Sequence, residues 1–317
     1  MAIAVTPGYE GSRAMLPDED GYLERDGVRV FWERYGDGEP TLLFLPTWSI
    51  VHSRVWRNQI AYFARHYRVV VFDGRGNGRS DRPLELGAYQ PQEFVADALA
   101  VMDASSTPAA MVVSLSMATV WNLALTAMYP ERVEAAVFVG PAPYAVEEPF
   151  PEWSLQPFNE RLESYDGFRG QNRWFILEHY DEFVDFWFRL GTPEPHSTRA
   201  IEHSIGMSLD TTSEVVLATL DARAMDRHYC TADRLREAGI ALQPLARQVR
   251  RPVLVLEGGL DPIAPPHWAR ALARDTGGEL VLIENAGHHP GGRKPVRFNL
   301  ELRRFVEQIG DGARNRR

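Results

Sequence analysis

Three residues whose side chains can carry out acyl transfer each follow an apolar run of strand length. Ser116 closes Met111-Val112-Val113-Ser114-Leu115-Ser116, Asp261 follows Pro252-Val253-Leu254-Val255-Leu256, and His288 follows Leu280-Val281-Leu282-Ile283 by way of Glu284-Asn285-Ala286-Gly287. A serine hydroxyl is a weak nucleophile near neutrality. It needs a base within hydrogen-bond reach, and the base needs a carboxylate to fix its tautomer. The expected roles are therefore Ser116 as nucleophile, His288 as base and then acid, and Asp261 as the group that orients the imidazole. The neighbours of Ser116 at positions 114 and 118 are Ser and Ala, small enough for a tight strand-to-helix turn although neither is glycine.

The elements that must position these residues can be read from the hydropathy pattern. Two short β patterns, Gly21 to Glu24 and Val28 to Tyr35, precede the turn signal Gly36-Asp37-Gly38 and are expected to form an antiparallel edge. Apolar runs then recur at Leu42 to Leu45, Val69 to Phe72, Met111 to Val113 and Ala135 to Val139. Between them, Val51 to His66, Pro91 to Ala104 and Ala118 to Met128 repeat apolar residues every three or four positions. Such alternation predicts a mostly parallel, eight-stranded-type α/β sheet flanked by helices. From 144 to 248 the strand rhythm stops. Helical patterns follow one another there, including a capping-box signal at Thr211-Thr212-Ser213-Glu214 that is expected to open Val215 to Met225. Two more strands follow Pro252. The domains expected are a core of 1–143 and 249–317 and a helical insertion of 144–248 placed after the sixth strand.

Composition narrows the class. Among 317 residues, 44% are hydrophobic and 24% charged, values ordinary for a globular chain. A net charge of −9 disfavours nucleic-acid backbones and anionic membranes as partners. No apolar run reaches the length of about 18 residues that a membrane span needs, and the segment from Met1 to Pro7 is too short for a signal h-region. The single Cys230 cannot form an internal disulfide, so a cytoplasmic location is expected. The histidines at 179, 196, 203 and 228 lack a metal-ligand spacing, and no G-x-G-x-x-G follows the first strand, so neither metal nor cofactor is expected.

The chain resembles cap-bearing members of the α/β-hydrolase superfamily. Ser, then Asp, then His is that family's order. Asp73-Gly74-Arg75-Gly76-Asn77-Gly78-Arg79-Ser80 is similar to its D-x-R-G-x-G-x-S loop, Gly258-Gly259-Leu260-Asp261 to its acid position, and Gly287-His288 to its histidine loop. The resemblance favours His288 over His289 and gives Asp73, Arg75 and Ser80 architectural roles. It implies an oxyanion hole made by the backbone N–H groups of Trp48 and Met117, with Pro46 and Thr47 standing where the family commonly has His-Gly. Thr47 and His52 are candidates to add a donor there. Relatives that use an aspartate nucleophile are disfavoured by Ser116.

Between Phe150 and Phe188 the insertion is dense in rings, and Trp174, Phe175 and Trp187 are the candidates to face a substrate. The function expected is hydrolysis of a small to medium hydrophobic ester, lactone or thioester through an acyl-Ser116 intermediate. Carbon–carbon hydrolysis, lyase or peptidase chemistry with the same triad, or a receptor with little turnover, are the alternatives. A proline iminopeptidase would need an acidic group in the insertion to hold a substrate amine, for which Glu147, Glu148, Glu178 and Asp181 are available. Gly167, Gly170 and Gly191 could act as hinges.

Overall fold

A computed structural model describes residues 15–195, 198–222 and 231–314. Eight strands form one sheet: β1 (Glu19–Arg25), β2 (Val28–Tyr35), β3 (Thr41–Phe44), β4 (Arg68–Phe72), β5 (Ala110–Leu115), β6 (Val133–Val139), β7 (Val253–Gly258) and β8 (Glu279–Ile283). Their order is β1-β2-β4-β3-β5-β6-β7-β8, with β1 and β2 joined antiparallel at one edge and β3 to β8 paired parallel. The central strands β5 and β7 are buried along their whole length, which is why they read as continuous apolar runs.

The two-residue period of each strand feeds two cores. Leu42, Phe44, Val69, Val71, Met111, Val113, Val137, Val139, Leu254 and Leu256 face one side. Leu43, Leu45, Val70, Phe72, Val112, Ala136, Phe138, Val253 and Val255 face the other. Helices cover both sides. On the first lie α1 (Arg57–Phe63), through Ile60 and Phe63, and α11 (Pro295–Arg314), through Phe298, Leu302 and Val306. On the second lie α2 (Pro91–Ala104) and α3 (Thr119–Met128), together with α8 (Ala232–Gln248) and α9 (Pro266–Thr276), all packed in series. The short α10 (Pro290–Arg293) precedes α11.

The excursion between β6 and β7 supplies α4 (Arg173–Glu178), α5 (Tyr180–Gly191), α6 (Arg199–Ser208) and α7 (Ser213–Ala222) before α8. One end differs from the sequence expectation. Leu242 and Ala246 place α8 in the core beneath the sheet, against α3 and α9, so the last helix of 144–248 is a sheet-covering helix. The helix expected from Val51 begins only at Arg57, after a 3-10 turn over Ser53–Trp56. The capping signal is shifted by one residue: Thr212 Oγ1 accepts from Val215 N, while the Thr211 hydroxyl donates to Gly76 O. Met225, the expected end of that helix, lies outside the described residues. No helix among the described residues is long and apolar enough to cross a membrane.

Candidate active site

Ser116 sits at the turn from β5 into α3 with φ +56°, a conformation that costs a non-glycine residue about 1 kcal/mol or more and that its surroundings must enforce. They do so through buried bonds. The Ser114 hydroxyl donates to Val137 O at 3.1 Å and accepts from Asn122 Nδ2 at 2.8 Å, tying the strand before the turn to the helix after it. Ala118 is wholly buried on the far side. The two non-glycine neighbours are thus accommodated, one by hydrogen bonds and one by its small volume.

His288 Nδ1 lies 2.7 Å from Asp261 Oδ2, and Asp261 Oδ1 accepts from the backbone N–H groups of Ile263 and Ala264 at 2.8 and 3.0 Å. With Nδ1 donating to the carboxylate, Nε2 is left as the basic nitrogen of the neutral ring. Gly140 lies against the other side of that ring. A Cβ there would stand 2.9 Å from His288 O and 3.1 Å from Nδ1, and the residue has φ +49°, so only glycine fits without displacing the histidine. The backbone of the histidine loop is held by the insertion: His288 N donates to Gly191 O, and Gly287 N to Glu194 Oε1, both at 2.9 Å. Gly191, a candidate hinge by sequence, is therefore a packing contact, and a Cβ on it would meet Ile263 Cδ1 at 3.0 Å.

Glu257 lies fully buried at the end of β7, four residues before Asp261. Burial, followed by the neighbouring Asp261 charge, pushes its carboxyl well above the ordinary range. His289 is half-buried, with its Nε2 atom shielded from solvent and its ring edge-on to Trp56. Burial, then the adjacent His288, lowers it to about 3, and it is His288, not His289, that hydrogen-bonds Asp261.

Ser116 and His288 open into one cavity with about 840 Å³ of empty space, the part reaching solvent included. Its walls are mostly apolar: Trp48, Ile50, Val51 and Val55 from the loop after β3, Trp187 and Phe188 from α5, Met207 from α6, and Ile263. Thr47 joins them, and its buried Oγ1 has no protein partner among the described residues. The Trp48 backbone N–H likewise donates to no protein acceptor among the described residues. Met117 is the first residue behind Ser116 in the 3-10 turn that leads into α3. The Trp48 and Trp187 rings pack edge to face at 5.8 Å, and Trp48 Nε1 donates to Thr219 Oγ1 at 2.8 Å, locking the β3 loop to the helical layer.

Three sequence candidates lie elsewhere. His52 caps the turn at Ser53–Trp56, accepting from Arg54 N, while its Nε2 faces Asp210 Oδ2 at 3.4 Å behind the cavity wall. Trp174 and Phe175 lie on α4. Asn172 caps that helix, Ile176 is buried in the core, Phe175 packs against the edge of the core and Trp174 is half-buried, and neither ring lines the cavity. Trp174 Nε1 donates to Asn159 O, with Arg161 stacked on the ring, and Phe175 stacks between Tyr165 and His179. Asp73, Arg75 and Ser80 serve their own loop: Asp73 accepts from Ser53 N and Arg79 N, Arg75 pairs with Asp97, and the Ser80 hydroxyl donates to Asp73 O.

The sequence reading missed His203, Ala200, Ser204 and Met207, which line the cavity from α6, and Arg57, Asn58 and Arg293. The α6 residues do carry a signal, the 200, 203, 204, 207 spacing of one helix face. Glu147, Glu148 and Glu178 pair instead with Arg274, Arg236 and Arg161, and Asp181 borders a surface cleft. None of the four lines the cavity. His196 and His228 lie outside the described residues, among which no cluster suited to a metal ion occurs.

Comparison with known proteins agrees with this architecture. Among curated proteins, the 3-oxoadipate enol-lactonase 2 of Acinetobacter baylyi is 21% identical over 288 residues, covering 90% of this chain and 96% of its own. Rhodomycin D methylesterase DauP of a Streptomyces species is 28% identical over 282 residues, covering 84% and 91%. Among solved structures, the enol-lactonase from Burkholderia xenovorans superposes with a TM-score of 0.71 at 19% identity, over 90% of this chain and all of that one. The family model described as alpha/beta hydrolase fold matches residues 40–294, and with that match over most of its length the chain belongs to the α/β-hydrolase family.

Proposed function

We propose that the protein is a serine hydrolase that cleaves a small to medium hydrophobic carboxylic ester or lactone through an acyl-Ser116 intermediate. The observation that carries the reading is the opening of Ser116 and of the Asp261-bonded His288 into one largely apolar cavity. The methylesterase and enol-lactonase relatives support an ester as the scissile group.

In this mechanism His288 Nε2 takes the proton of the Ser116 hydroxyl as Oγ adds to the ester carbonyl carbon. The carbonyl oxygen becomes an oxyanion that the Trp48 and Met117 backbone N–H groups stabilise. Collapse of the tetrahedral intermediate breaks the bond to the alcohol, which leaves with the proton from His288. Water, deprotonated by the same imidazole, then releases the acid and restores Ser116. Throughout, Asp261 keeps the Nδ1 proton in place and stabilises the imidazolium, its own orientation fixed by Ile263 N and Ala264 N. The wall of Trp48, Trp187, Phe188 and Met207 favours a hydrophobic group beside the carbonyl.

The test is intact-mass spectrometry after exposure to a fluorophosphonate, with peptide mapping and a Ser116→Ala control. One adduct per chain on Ser116, absent from the variant, is expected, together with a fall in ester turnover on the order of 10³-fold or more in the variant. Folded wild-type protein that takes no adduct would refute the assignment and favour a receptor.

A further inference from the structure

We propose that the natural substrate carries a carboxylate besides its scissile ester, and that the Arg57 guanidinium binds this carboxylate inside the catalytic cavity. The inference rests on the ester-hydrolase reading and names its substrate class more narrowly.

Arg57 opens α1 and lines the cavity that contains Ser116 and His288. Half-buried, it differs from the buried arginines Arg54 and Arg75. Arg54 forks onto both oxygens of Glu33 at 2.6 Å, and Arg75 onto both oxygens of Asp97 at 2.7 and 2.8 Å. Arg57 has no such counter-charge: no carboxylate stands within ion-pair distance of it among the described residues, and its charged neighbour is another cation, Arg199 of α6. Burial, then Arg199, holds its proton affinity below that of an ordinary guanidinium, the sign of a charge without a partner.

The rest of the cavity leaves this charge available. Among the described residues no aspartate or glutamate lines it. Glu194, which pairs with the lining Arg293 at 3.5 Å, is engaged by Gly287 N, and Asp261 is engaged by His288. His203 and His289, both lining residues, are lowered to about 4 and about 3 by burial in the first place and by Arg57 among other neighbours, so at neutral pH neither carries a competing charge. An anion entering here would meet the Arg57 guanidinium among mostly apolar walls, the other lining arginine, Arg293, standing 3.5 Å from Glu194. A carboxylate matches that fork with two coplanar oxygens and one charge. A phosphate would bring a second charge that Trp48, Val55 and Met207 cannot solvate.

The experiment follows the rate at which a fluorophosphonate labels Ser116 in the full chain while monomethyl alkanedioates, from succinate to pimelate, or their dimethyl counterparts compete. At least one half-ester is expected to protect about tenfold better than its dimethyl counterpart, the scale of a charge-assisted pair. Arg57→Gln should bring that ratio towards one, and Arg57→Lys should keep part of it. Because each ratio is measured within one variant, a general loss of stability does not imitate the effect. A ratio near one in the wild type, or one undiminished in Arg57→Gln, overturns the carboxylate site and leaves the serine mechanism standing. If folded wild-type protein takes no label, the serine mechanism fails instead. The carboxylate site is then judged by the same ratio, read from thermal stabilisation by half-ester and diester.

Discussion

The rim of the sheet and the helical layer above it hold their functional side chains by opposite means. At the rim, polar groups are fixed by short, buried bonds of assigned direction: Asp261 is held by Ile263 N, Ala264 N and His288, and Asp73 by Ser53 N and Arg79 N. In the layer, position is set by ring packing, with Trp187 edge-on to Trp48 and Trp153 and stacked on Phe183. Hydrogen bonds fix orientation as well as place, which proton transfer requires. Ring contacts fix volume while tolerating repacking, which a hydrophobic binding wall requires. The difference divides the molecule into a part held by directed hydrogen bonds and a part held by ring packing; under the proposed function these would be the part that does the chemistry and the part that selects the substrate.

Substitutions can break this division, and the largest effect is expected at the rim. Asp261→Asn keeps an oxygen for the two backbone donors but offers an N–H where His288 needs an acceptor. Turnover should fall on the order of 10³-fold with the melting temperature little changed, as steady-state kinetics beside thermal unfolding would show. Trp187→Ala should do the reverse. It empties a buried ring site at a cost of about 3 kcal/mol, visible in denaturant unfolding, and should change the ranking of ester chain lengths while Ser116 still takes a fluorophosphonate. An unchanged ranking would place the selecting wall elsewhere.

The smallest effect sharpens the comparison through pH. Glu257 is raised in the folded state, so its contribution to stability is complete below the unfolded carboxyl range of about 4.3 and is lost as pH rises towards the folded value. Glu257→Gln removes that loss. The melting temperature of the variant relative to wild type should climb as the pH is raised from about 5 to about 8, each unit of pKa displacement carrying about 1.4 kcal/mol. A flat difference would mean that Glu257 does not keep its proton beside Asp261.

The rim was far more legible in the sequence than the layer. Strands buried on both faces must be continuous apolar runs, so β5 and β7 are visible as such, and Ser116 and Asp261 are placed by where those runs end. A helix buries only one stripe, and a count of rings does not reveal which. Trp174 and Phe175 therefore matched Trp187 in type while lying away from the cavity. The helix-face spacing of His203 and Met207 was present, but a histidine inside an apolar wall reads as a surface residue unless its neutral state is known. Arg57 gave no signal, since what distinguishes it is the missing partner, a property of three-dimensional surroundings. The assignment of α8 to the insertion failed for a related reason: covering the sheet and covering the site demand the same amphipathic pattern.

The two bonds from Gly191 O and Glu194 Oε1 to the backbone of His288 and Gly287 give the molecule a mechanical linkage. The end of α5 is clamped to the loop bearing the base, so this corner of the layer cannot swing outward and leave His288 where it is. A displacement of this corner would have to break both bonds or carry the loop of Gly287 and His288 with it.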